Sequence, residues 1–148
     1  MMGLKKILGT GLVLSSMMFM ACDDSSSASG GFSCDVTRKS GTVKVTSTVP
    51  GIGSMSVTIS ESQNADFQNY RVIKSEYSYN DASMAKNQCG FWKEEADEWR
   101  DGSVSAKCSG NTVYVTEYDK GSLDEHEREY KEMCEEEREM YESGEMDY

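Results

Sequence analysis

Thr42-Val43-Lys44-Val45-Thr46-Ser47-Thr48-Val49 is the stretch that decides the fold. Val43, Val45 and Val49 alternate with Thr42, Lys44, Thr46 and Thr48, which puts apolar side chains on one face of an extended chain and polar ones on the other. Side chains branched at Cβ suit a pleated strand and crowd a helix. Pro50-Gly51 then makes a turn, and Met55, Val57 and Ile59 repeat the period of two over residues 54–60. The pattern predicts a hairpin with one buried and one wet face.

Outward from this hairpin, residues 32–38 carry a strand signal on one side. On the other, residues 69–79 form a half-exposed strand, with Val72, Ile73, Tyr77 and Tyr79 set among Arg71, Lys74 and Glu76. Asn80 or Asp81 can cap a helix in which Met84, Ala85, Cys89, Trp92, Ala96 and Trp99 share about a third of the circumference, although Gly90 weakens it by ~1 kcal/mol relative to Ala. Asp101-Gly102 closes that helix. Residues 103–108 and 112–118 read as strands joined by Ser109-Gly110-Asn111. From residue 122 to about 143 the period becomes helical, with Leu123, Tyr130, Met133, Cys134 and Tyr141 on one stripe beside His126 and Glu137. Ser122 with Glu125 three residues later makes a capping box. The expectation is an α+β domain: an antiparallel sheet of five to six strands with two helices on one face, in the order strands, helix, strands, helix.

Residues 1–21 have the layout of a secretory leader: Lys5 and Lys6, an uncharged run through Met20, then Ala21. The run is short of the ~20 residues that a membrane span needs. Phe19-Met20-Ala21-Cys22 resembles the lipobox of bacterial lipoproteins, in which the cysteine is lipidated after cleavage. Ala21 fits that motif, and Phe19 is bulkier than its usual Leu. The resemblance implies a lipid anchor at Cys22 and a place in the cell envelope outside the cytoplasm, at the inner or outer membrane. Asp23-Asp24-Ser25-Ser26-Ser27-Ala28-Ser29-Gly30-Gly31 is a tether with nothing to bury, spanning roughly 15 to 18 Å as a flexible coil. Residues 32–148 then make one domain with an acidic C-terminal helix.

The chain carries a formal charge of -11, and loss of Lys5 and Lys6 takes the mature form to -13. Nucleic acid is thereby disfavoured as a partner, because phosphate neutralisation needs a basic stripe. The membrane is reached through the lipid, and an envelope protein or polysaccharide is the expected partner.

With Cys22 assigned to the lipid, Cys34, Cys89, Cys108 and Cys134 remain, an even set that reads as two disulfides in an oxidising compartment. A metal site is not expected, since no CxxC pair occurs. The hairpin Ser40-Gly41-Thr42-Val43-Lys44-Val45-Thr46 resembles Ser109-Gly110-Asn111-Thr112-Val113-Tyr114-Val115-Thr116, each with a cysteine shortly before it and a cysteine-bearing helix after it. On that likeness each unit would staple its own strand to its own helix, pairing Cys34 with Cys89 and Cys108 with Cys134. The main rival pairs Cys34 with Cys108 and Cys89 with Cys134.

Catalytic residues are not identified, and no cofactor is expected. His126 is the only histidine. It sits among carboxylates on the terminal helix, a poor setting for a general base, and reads as a surface or half-buried structural residue. Phosphate loops, dinucleotide fingerprints and calcium loops are absent from the sequence. Aromatic residues are the remaining candidates: Trp92, Trp99, Tyr77 and Tyr79 would form a binding surface if exposed, whereas as core they would serve the sheet, and core is the favoured reading for the two tryptophans. The expected role is a membrane-anchored envelope lipoprotein, binding or structural rather than enzymatic. A hydrolase acting on envelope polymers is the alternative.

Overall fold

The computed structural model describes residues 31–144. The expected leader, Cys22, most of the expected tether and the last four residues lie outside them. Six strands, β1 (Ser33–Lys39), β2 (Thr42–Val49), β3 (Gly53–Glu61), β4 (Arg71–Tyr79), β5 (Val104–Ser109) and β6 (Thr112–Asp119), form one antiparallel sheet in the order β1-β2-β3-β4-β6-β5. Helix α1 (Ala82–Glu98) precedes β5, and helix α2 (Leu123–Ser143) ends the described chain. The α+β architecture and the element order are those expected, with six strands and boundaries shifted by a residue or two.

Turn chemistry sets the hairpins. Ser40 and Gly41 both take positive φ, 53° and 78°, between the facing pair Lys39 and Thr42, as a two-residue turn matched to strand twist requires. At Gly53 the backbone of β4 passes so close that an added Cβ would lie 1.9 Å from the Ser78 carbonyl oxygen. Only glycine fits there. Asp81 caps α1 by accepting from the Met84 amide, and Ser122 with Glu125 forms the expected capping box on α2.

The two helices cover one face of the sheet. Inward positions carry Val43, Val45, Met55, Val57, Ile59, Ile73, Val113 and Val115, all buried, each side chain of this kind worth ~1.5 to 3 kcal/mol once removed from water. α1 packs over β5, β6 and β4, while α2 returns across the domain to β1, β2 and β3. Trp92 stacks on Tyr77 at 5.9 Å beneath α1, and Tyr130 is buried beneath α2. Leu123, His126, Tyr130, Cys134 and Glu137 are the buried residues of α2. Met133 and Tyr141 are half-buried at the edges of that stripe.

The disulfides correct the expected pairing. Cys34 bonds to Cys134 and Cys89 to Cys108, neither the preferred arrangement, Cys34 with Cys89 and Cys108 with Cys134, nor its rival. The two similar hairpins lie at opposite edges of the sheet, and each outer strand is covered by the helix of the other unit. Strand-to-helix stapling is therefore present, but between the units rather than within them. Covalent attachment of both edge strands to a helix also restrains the parts of a sheet that otherwise offer unpaired backbone to other chains.

Candidate functional site

The sole histidine lies at the β6–α2 junction. His126 is buried, its Nε2 3.0 Å from Asp119 Oδ2 and its Nδ1 3.8 Å from Glu129 Oε2. Asp119 also accepts from the Gly121 amide, and Arg71 donates to the Gly121 and Lys120 carbonyls while pairing with Glu61. Burial works to raise the Asp119 carboxyl, but the adjacent His126 ring and the hydrogen bond from the Gly121 amide outweigh it and hold the carboxyl below its ordinary range. Burial raises Glu129 in spite of the neighbouring His126. A Cβ on Gly121 would fall 2.8 Å from Asp119 Oδ2 and 3.1 Å from His126 Nε2. His126 thus braces a tight turn that has no spare volume. It is more deeply buried than its sequence suggested, and the substrate access that base catalysis requires is closed on that side.

A second titratable group lies deeper along α2. Glu137 is 1% exposed, with no hydrogen-bond partner for either carboxylate oxygen among the described residues. Burial, helped by Glu136, pushes its carboxyl up to about 7. Tyr77, Tyr79 and Trp92 are buried, and Trp99 packs half-buried against the core. These side chains lie in or against the core between helices and sheet, the placement favoured for the two tryptophans, and not on the alternative binding surface.

The accessible surface with a pattern is the other face of the sheet. Strand register aligns its side chains in rows that cross all six strands. One row is entirely hydroxyl: Ser33, Thr48, Ser54, Ser78, Thr112 and Ser109. The next holds Asp35, Thr46, Ser56, Glu76, Tyr114 and Lys107, and the third Thr37, Lys44, Thr58, Lys74, Thr116 and Ser105. Rows are ~6.7 Å apart along the strands and neighbours in a row ~4.8 Å apart, the spacings of any β-sheet. Tyr114, 42% exposed, is the exposed large hydrophobic side chain among the described residues. It borders a shallow cleft of about 270 Å³ with Ser56, Thr58, Lys74, Glu76 and Thr116.

At one end of this face a short 3-10 turn (Ala65–Phe67) lays Phe67 flat on Tyr118, ring centroids 4.3 Å apart, with Tyr70 edge-on to Phe67 and Lys120 over Tyr70. Tyr118 and Tyr114 share the outward side of β6. Sequence reasoning placed Tyr114 on a strand without a face, although its alternation with Val113 and Val115 carried that signal. The continuity of the rows needed the strand order as well.

Metal-ligating clusters of three or more His, Cys, Asp or Glu do not occur among the described residues, and none of their helices is long and apolar enough to cross a membrane. Comparison of the chain with family models, curated proteins and solved structures returns no match.

Proposed function

We propose that this chain is an envelope lipoprotein, anchored by lipid at Cys22, whose domain serves as a non-enzymatic binding module. The reading of the anchor rests on the leader and on Phe19-Met20-Ala21-Cys22 followed by a Ser/Gly tether. Two disulfides agree with an oxidising compartment outside the cytoplasm. The observation that carries the binding role is the sheet: one face is fully occupied by the helices, while the other presents continuous polar rows around the exposed Tyr114.

Two experiments test the proposal. Cys22→Ser should release the domain from membranes and abolish acyl incorporation, because two or more chains anchor stably where one is marginal. Unchanged fractionation of the variant, together with wild type free of lipid, would overturn the anchor. Affinity purification of the tethered protein from its envelope should recover a ligand through the open sheet face. Turnover of an envelope polymer by the purified protein, abolished by substitution of a carboxylate, would replace binding with hydrolysis.

A further inference from the structure

The geometry points to a ligand class for the open face: a β-linked glycan strand bearing carboxylates on alternate sugars, laid across the strands with one ring on Tyr114. This rests on the reading of the domain as an envelope binding module. Tyr114 offers a flat, accessible ring, the feature that pyranose C–H groups stack on. Glu76 faces it directly in the register, and Thr116 and Lys74 face one another in the adjoining row, so acceptors and donors for sugar hydroxyls flank the ring. An extended β-linked chain advances by about one pyranose per strand, given a strand spacing of ~4.8 Å. Lys44 and Lys74 lie in one row with Thr58 between them, hence ~9.5 Å apart, an interval that meets a carboxylate on every second sugar.

Charge and shape select this ligand over others. The three outward rows hold Lys44, Lys74 and Lys107 against Asp35 and Glu76, whereas the acidic excess is concentrated on α2 across the sheet. Beyond a Debye length of ~8 Å at physiological salt those glutamates are largely screened from a polyanion on the open face. The buried centre of a protein interface is more apolar than its rim, and Tyr114 stands alone among exposed large hydrophobics of the described residues. A rigid lattice cannot follow six strands that each twist by ~20° or more. A single flexible glycan can.

The test uses the mature chain with both disulfides formed. Its probes are soluble β-linked oligosaccharides carrying carboxylates on alternate sugars and the same oligosaccharides with those carboxylates amidated. Wild type should bind the free acid at least tenfold more tightly than the amide. Tyr114→Ala should weaken both at least tenfold, with Tyr114→Phe retaining binding. Lys44→Gln with Lys74→Gln should erase the preference for acid while sparing the amide. Unchanged thermal midpoints and intact disulfides in these exposed-site variants establish that they fold. Wild type that binds neither probe, or Tyr114→Ala that binds both normally, overturns the glycan. If the tethered protein is then captured through the same face by an envelope protein, the glycan alone has failed. If Cys22→Ser also leaves fractionation unchanged and no ligand is recovered, the underlying reading has failed too.

Discussion

Glu137 faces no donor among the described residues, and its burial is compensated only by keeping a proton. Folded, it holds that proton up to about pH 7; unfolded, it releases it near about 4.3. Between those values the folded state binds more protons, so stability falls as pH rises through the window and stays reduced above it. Glu137→Gln should therefore leave stability at pH 4 nearly unchanged and raise it at pH 8 by on the order of 3 to 4 kcal/mol. Urea unfolding at both pH values measures this, and a variant whose stability follows pH as steeply as wild type would refute it. The sequence placed Glu137 on the inner stripe of its helix by period alone. That burial would leave it without a partner depended on which strands lay opposite, as did the depth of His126.

At the scale of elements, the stripe on α2 and the glycine positions make opposite demands on their neighbours. Tyr130 is buried while Glu136, on the same helix, is exposed. Tyr130→Ala should cost about 3 to 5 kcal/mol, as truncation of a core aromatic does, and Glu136→Ala should stay within ~0.5 kcal/mol. Similar losses for both in denaturant titrations would mean that the faces are wrongly assigned. Gly90 in α1 has nothing within 4 Å of an added Cβ, whereas at Gly53 the β4 backbone is in the way. Gly90→Ala should stabilise by ~1 kcal/mol through helix propensity, and Gly53→Ala should destabilise strongly by breaking the β3–β4 register. A melting point raised by both substitutions would contradict the close approach. Elements were the most legible level of the sequence: alternation over residues 42–49, the Ser122 cap and the helical period of α2 are local signals that the fold preserves. Strand order and cysteine partners are non-local, and two similar hairpins misled the pairing because likeness in sequence does not say which helix crosses which hairpin.

For the molecule as a whole, the corrected pairing fixes how its ends are related. Cys34 and Cys134 are separated by 100 residues, and Cys89 and Cys108 by 19. In the chain-entropy view the longer loop is worth more, ~4.7 kcal/mol against roughly 3. The double variant Cys34→Ser, Cys134→Ser should accordingly lose more stability than Cys89→Ser, Cys108→Ser. Equal losses in calorimetry would show that local packing, not loop length, governs the difference. Around the longer bridge, Phe32 stacks on Tyr141 at 5.1 Å, and Arg138 donates to the Cys34 carbonyl. The start of the first strand is thus gripped by the end of the last helix.

That grip has a mechanical meaning. A load applied between the two ends of the domain meets a covalent bond at Cys34, near the start of β1, and passes straight to Cys134, bypassing the sheet. Stretched between its ends, the oxidised domain can pay out only the short segments outside the bridge. Reducing both bridges frees a loop whose ends are 100 positions apart in sequence, up to roughly 330 to 360 Å of extra reach. Single-molecule pulling with and without reductant would register that difference as a missing or present extension step. A pull between the two ends of the described domain thus leaves its outward rows intact.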